Sequence, residues 1–272
     1  MSWKFWQQNA GWLALAVMWL VFFSPIISGQ YVYFLDDLKI IYYPLELEYA
    51  KFQSAWELPH WSSLFGFGQP LISWGQLGFF TPLHLILRAA QVPPLALLQV
   101  SVAVYYVLGL FGAYLFGRQQ KLAQAPSCLF ASIFVFCGFS IGHLNHVNFY
   151  TSTMLLPWLL LAATALIKKP TLLITAAVAA LAAAMAVSGQ PQVITYSFSI
   201  AIIILTPILA SHIRTVRRHK PKKIWRYSGT AVASTLAAGI ISLSIASINI
   251  LPLREFLPQT ERNQTLPPEE YF

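Results

Sequence analysis

The chain has 272 residues, of which 57% are apolar and only 10% charged, and its formal net charge is +8. Soluble domains run at roughly 45–50% apolar and about 25% charged, so this balance excludes a disordered chain, a basic nucleic-acid-binding domain and most soluble enzymes. Lipid is the solvent such a sequence is built for, and the positive charge is read first as a topology signal.

A helix needs about 20 mostly apolar residues to cross roughly 30 Å of hydrocarbon. Seven stretches meet that need: 11–29, 95–117, 126–142, 149–167, 171–188, 193–211 and 228–250, none with an Asp, Glu, Lys or Arg inside. The first reads as a signal anchor, because its apolar run is long and Ile26-Ile27-Ser28 offers no small-x-small cleavage site. The segment 77–90 is shorter and carries His84 and Arg88, so it reads as interfacial or re-entrant. With seven spans and a cytoplasmic N-terminus, twelve of the 17 Lys and Arg fall inside and all nine acidic residues outside, as the positive-inside rule requires. The fold class expected is an all-α polytopic membrane protein, one transmembrane domain over 1–272, with an outer loop at 30–94.

Within that loop, Leu38, Ile41, Tyr42, Leu45, Tyr49 and Phe52 recur at three- and four-residue steps, which predicts an amphipathic helix from Leu35 to Trp56 lying on the membrane and kinked or broken at Pro44. Glu46, Glu48 and Lys51 are assigned to its solvated faces. A turn-rich segment with Trp56, Trp61 and Trp74 follows. The run from His212 to Arg226 is expected as a basic cytoplasmic loop that anchors the topology. Ala179, Ala183 and Ala186 have the near small-xxx-small spacing that lets helices approach closely in lipid. Cys128 and Cys137 share one apolar stretch and form neither a disulfide framework nor a metal spacing.

Asp36 and Asp37 stand where the chain leaves the first span. Two carboxylates there suit acid–base work or a divalent cation; they equally suit a helix N-terminus, where they would satisfy free N–H groups. Neighbours on a helix point about 100° apart, so one of the two at most is expected to face a given substrate. His143 and His146 fall on one helical face at i, i+3, a pair that with an aspartate could ligate a metal or simply be solvated. Arg254 and Arg262, two of the five outer cations, suit a lipid phosphate or pair with Glu255 and Glu261.

Along the chain, Asp37-Leu-Lys-Ile-Ile-Tyr-Tyr43-Pro44, Glu57-Leu-Pro59-His-Trp61, Phe65-Gly-Phe-Gly68-Gln-Pro70, Phe80-Thr-Pro82-Leu, Gly142-His143 with Asn148, Pro157-Trp158, Ser188-Gly-Gln-Pro191-Gln192 and Leu251-Pro-Leu-Arg254-Glu255 follow in an order that resembles the YfhO-type bacterial membrane protein family, within the GT-C class of glycosyltransferases. The resemblance implies a GT-C-like arrangement of about seven helices with membrane-parallel helices in the first outer loop. It implies transfer of a sugar from a polyprenyl-phosphate donor to a glycan or glycolipid acceptor on the outer face of a bacterial cytoplasmic membrane. Asp37 would be the general base, with Asp36 its neighbour and substitute, and Arg254, Arg262, His143 and His146 would hold the donor phosphate. The family's chains are longer, so this one is expected to be its N-terminal part. No metal site is assigned, a divalent cation is left open, membrane lipid is the surrounding partner and nucleic acid is not expected. A flippase for a lipid-linked sugar and a non-catalytic membrane subunit are the competing functions. An ion-coupled transporter should carry ionisable residues at mid-bilayer, and none of the seven stretches does.

Overall fold

The computed structural model describes residues 3–64, 67–74, 78–188, 190–219 and 224–260. Among these the regular structure is helical: α1 Trp3–Ile27, α2 Tyr43–Ser54, α3 Pro82–Ala89, α4 Pro94–Gln119, α5 Gln124–Phe136, α6 Gly138–Gly142, α7 Val147–Lys168, α8 Leu172–Ala186, α9 Pro191–His219 and α10 Ile224–Phe256. The only strand-like pairing described is an isolated bridge between Ser62 and Gln69.

Among the described residues, six segments are long and apolar enough to cross a membrane: most of α1, then α4, α5 running on into α6, α7, α9 and most of α10. The described residues are those of a helical, multi-pass membrane protein. The stretch expected as a further span, 171–188, forms α8, with 15 residues. At 1.5 Å per residue it rises about 22 Å, less than a full hydrocarbon core. Its Ala179 and Ala183 are buried, and α8 packs against α7 and α10, the use that small residues predict. Segment 77–90 yields only the eight-residue α3.

Two helices overrun their expected ends. α9 continues to His219 and takes Arg214, Arg217 and Arg218 into helix rather than loop; arginine is a good helix former, and cations in a last turn complement the helix dipole. α10 likewise carries Arg254 into its last turn. A break at Cys137, in extended conformation (φ −69°, ψ 163°), divides α5 from α6. Backbone freed inside a membrane needs new partners, and Ser140 Oγ supplies one by donating to the Phe134 carbonyl at 3.0 Å.

The predicted helix over Leu35–Trp56 is divided in two. A π turn at Leu38–Tyr42 comes first, and α2 then starts with Pro44 in its first turn, where a missing N–H breaks no intrahelical bond. Leu38, Tyr42, Leu45 and Tyr49 are buried as their spacing predicts, but so is Glu46, which corrects its assignment to a solvated face. Glu46 is buried because it meets two basic side chains of α3: Oε1 lies 2.8 Å from His84 Nδ1 and Oε2 3.5 Å from Arg88 Nε. Arg88 further bonds the carbonyls of Phe79 and His84, and its guanidinium lies over the rings of Phe79 and Tyr49, at 4.5 Å and 5.3 Å. Burial lowers the Arg88 pKa while Glu46 opposes the shift, and burial, reinforced by Glu46, pushes the Tyr49 phenol well up. The cluster locks α2 to α3.

At the centre of the bundle, α4 packs against α7 and α5. Gly112 makes the close approach possible: a Cβ there would lie 2.6 Å from Trp158 Nε1, while that indole N–H donates to the Leu108 carbonyl at 2.8 Å. A rigid indole cannot yield as a flexible chain end would. Gly112→Ala should therefore cost about 1–3 kcal/mol, the usual range for overpacking, read as a lowered Tm in detergent. The double variant Gly112→Ala/Trp158→Leu should recover part of the loss.

Candidate functional site

The site is assembled where α1 ends and α4, α7 and α9 begin. Residues 31–35 leave α1 without regular structure, and Gln99, in the second turn of α4, clamps them. Its Oε1 accepts the Tyr33 N–H at 2.8 Å and its Nε2 donates to the Tyr33 carbonyl at 2.7 Å, the pairing a neighbouring strand would make. The next turn opens at Asp36 in a left-handed conformation, φ 45°, which Asp tolerates better than most residues. Because Asp36 lies off the helical path, both carboxylates reach one connector. Asn145 Nδ2 donates to Asp36 Oδ2 at 3.2 Å, and His146 Nε2 lies 3.3 Å from Asp37 Oδ2.

The helix-capping role weighed for these carboxylates is not what Asp37 performs: it precedes the π turn but makes no side-chain cap bond. The turn is instead fastened at its far end. The Tyr42 hydroxyl donates to Asn148 Oδ1 at 2.5 Å, and Asn148 Nδ2 donates to Gln190 Oε1 at 3.1 Å. Tyr42, Asn148 and Gln190 are all buried. Burial raises the Tyr42 phenol, and the nearby Asp37 charge adds to the shift, so the hydroxyl stays a donor.

His143 and His146 differ in role. His143 donates from Nδ1 to the Phe139 carbonyl at 2.7 Å and stacks on Phe149, with ring centroids 4.6 Å apart and planes 13° apart. His146 is held with Nε2 toward Asp37, whereas its Nδ1 is buried with no hydrogen-bond partner. Burial lowers the His146 pKa, the carboxylates of Asp37 and Asp36 pull it up, and His143 pushes it further down. The balance is a neutral ring near pH 7, and a carboxylate opposite Nε2 selects the tautomer that carries its proton there. Asp37 keeps 41% of its side chain exposed.

Of the residues singled out in the sequence, Asp36, Asp37, His143 and His146 therefore come together. Arg254 is exposed near the end of α10 and is not a partner of any of the four; Arg262 lies outside the described residues. No three His, Cys, Asp or Glu side chains gather as a metal-ligand set among the described residues. Sequence reasoning gave no role to Asn145 or Gln190 and missed Gln99 and the Glu46–His84–Arg88 cluster. The cluster did leave a signal, since Glu46 follows Tyr42 by four residues and precedes Tyr49 by three, which places it on the apolar stripe.

The depressed His146 pKa has a consequence for stability. Between the folded value and the unfolded one near 6.5, the unfolded chain binds more protons, so stability rises with pH. The contribution is fully present above about pH 6.5 and is lost as pH falls below it. Thermal unfolding in detergent from pH 8 to pH 5 should show a smaller loss of Tm in His146→Gln than in the native chain; equal slopes would contradict this placement of His146.

In comparisons with known proteins, no family model, no curated protein and no solved structure matches the chain.

Proposed function

We propose that the chain is a membrane glycosyltransferase core that moves a sugar from a polyprenyl-phosphate carrier to a glycan or glycolipid acceptor at the membrane–water boundary, with Asp37 as general base. The observation that carries this reading is the orientation of the Asp37–His146 pair. With Nε2 on Asp37 and Nδ1 buried, His146 has no lone pair within reach of a substrate, so the base of the pair is the open carboxylate. His146 holds and orients that carboxylate. Asp36, fixed by Asn145, keeps negative charge beside it.

In the reaction, Asp37 takes the proton of the acceptor hydroxyl as its oxygen bonds to the anomeric carbon of the donor sugar. The bond from that carbon to the carrier phosphate breaks, and the electron pair leaves with the polyprenyl phosphate. His143, when doubly protonated, has its Nε2–H for the leaving phosphate while Nδ1–H stays on Phe139. Arg254 and Arg262 are the remaining candidates for that role. An apolar groove of about 420 Å³ between α5, α6, α7 and α9 has Phe139 in its lining, so a lipid tail lying there brings its head group to the His143 end. A carboxylate at the boundary suits a donor whose tail stays in the bilayer, on the outer face of a bacterial cytoplasmic membrane.

Proteoliposomes with a panel of labelled polyprenyl-phosphate sugars test the proposal. Sugar release or transfer by the native chain should fall at least about a hundredfold in Asp37→Asn, the scale of general-base catalysis. Equal rates in the two proteins would overturn the role of Asp37. Movement of the intact lipid-linked sugar across the bilayer without cleavage would replace the transferase with a flippase.

A further inference from the structure

A second apolar groove, also of about 420 Å³, runs between α7, α8, α9 and α10. It begins beside Leu166 and Ile167, at the C-terminal end of α7, and follows α9 from Leu209 back to Phe198, about 16 Å of helix. Ile202 in its lining is exposed, so the groove opens to the bilayer. The three hydroxyls that border it are each satisfied within their own helix. Thr206 donates to the Ile202 carbonyl at 2.7 Å, Thr235 to Ala231 at 2.9 Å and Ser242 to Gly239 at 3.0 Å. With no polar group left to meet, the groove suits a hydrocarbon chain. A Cβ added at Gly239 would meet no neighbouring segment within 4 Å, so the space beside that residue is open.

The mouth of the groove is cationic. Tyr227 donates its hydroxyl to the Ile167 carbonyl, and its ring centroid lies 5.0 Å from that of His212, so α9 and the start of α10 meet the end of α7 there. Lys168 follows Ile167 directly, and its charge acts on the His212 ring. His212 stands one turn beyond Leu209 on the same face of α9. Lys168, Lys169, Arg214, Arg217 and Arg218 are all exposed at this end. Trp225, at the start of α10, is exposed as well, and an indole is favoured at the level of bilayer head groups. The chain offers these cations no counter-charge. Residues 58–254 contain no Asp or Glu, and Asp36 and Asp37 lie where α7 and α9 begin rather than where they end. An anion from outside the chain has to balance them.

We propose that this groove binds an anionic diacyl phospholipid, with one acyl chain lying along α9 and the phosphate held at the mouth by Lys168, Lys169 and His212. Cations that only set topology need no groove, and a groove between membrane helices needs no cations. Their meeting at Ile167 and Leu209 selects a lipid with a charged head. Anionic lipids of the cytoplasmic leaflet attract basic residues beside a span, and the positive-inside rule puts this end of the bundle in that leaflet. A soluble phosphate fits less well, because it leaves the apolar groove unfilled. The inference goes beyond the transferase reading and stands without it: the donor phosphate of that reading belongs at the other end of α7, beside His143.

The test measures lipid binding, not transfer, and so is independent of any role of Asp37. The purified, delipidated chain in a neutral detergent is titrated with phosphatidylglycerol, phosphatidylcholine, undecaprenyl phosphate and glycerol phosphate, and bound lipid is counted by native mass spectrometry. One phosphatidylglycerol should bind about tenfold or more tighter than phosphatidylcholine, and Lys168→Gln/Lys169→Gln should remove most of that preference. Gly239→Leu, which fills the groove with a better helix former, should weaken phosphatidylglycerol about tenfold, the equivalent of two lost buried methylenes, with Tm in the absence of lipid no lower. Lys121→Gln, a cation at the same end outside the groove, should bind as the native chain does. Equal affinity for the two phospholipids would overturn the proposal, as would phosphatidylglycerol binding untouched by Gly239→Leu. Tighter binding of undecaprenyl phosphate would replace the phospholipid with a polyprenyl lipid, competition by glycerol phosphate would make the mouth a simple anion site, and a lipid-free dimer lost in Gly239→Leu would make the groove an interface between copies.

Discussion

The amide of Asn148 is the joint on which the candidate site depends. Its oxygen takes the Tyr42 hydroxyl and its nitrogen gives to Gln190, so one buried side chain ties the π turn, the start of α7 and the entry to α9 together. An amide has its donor and acceptor on fixed sides, and only one arrangement of the three segments satisfies both. Leaving a buried polar group unpaired costs about 1–3 kcal/mol, so a shift of any one segment is penalised at the others. Gln99 does the same for the chain leaving α1 by pairing both sides of its amide with the Tyr33 backbone. Asp36 and Asp37 sit between these two fastenings, and their positions follow from them.

A second layer of constraint lies behind the first. Glu46, His84 and Arg88 bury opposite charges between α2 and α3. A pair of this kind adds little net stability over an apolar core, but losing one partner alone is costly. It also resists sliding of one helix on the other, because a one-residue slip would strand a charge. Within the connector between α1 and α4, α2 and α3 are therefore fastened to each other. Firm support is what the proposed general base would need: Asp37 makes no cap bond, and His146 and Asn145 hold the two carboxylates.

The apolar pattern made the membrane helices legible, because a span must be apolar along its whole length and charge marks its ends. The stripe from Leu38 to Tyr49 was legible for a similar reason: one face of a helix was to be buried, and its spacing says which. Glu46 on that stripe was misplaced because charge was taken to mean solvent, and its partners His84 and Arg88 lie 38 and 42 positions away in sequence. The reach of both Asp36 and Asp37 to one connector was hidden because it depends on a left-handed residue, which periodicity does not register. α8 fell short of its expected length because composition sets how apolar a segment is and not where its helix ends. Trp56 was noted only as an aromatic in a turn-rich loop; that it closes α2 in glycine's place, at φ 58°, is a property of backbone geometry.

The central claim is that the Asp37 segment and the His146 connector meet at one end of the bundle. Cross-linking in native membranes tests it directly, using Asp37→Cys with His146→Cys in a background in which Cys128 and Cys137 are replaced by serine and alanine. A short bifunctional thiol reagent should join positions 37 and 146 within one chain, and should leave an Asp37→Cys/Lys121→Cys pair unjoined because Lys121 follows the far end of α4. Single labelling of both cysteines at 37 and 146 with no cross-link between them would contradict the account.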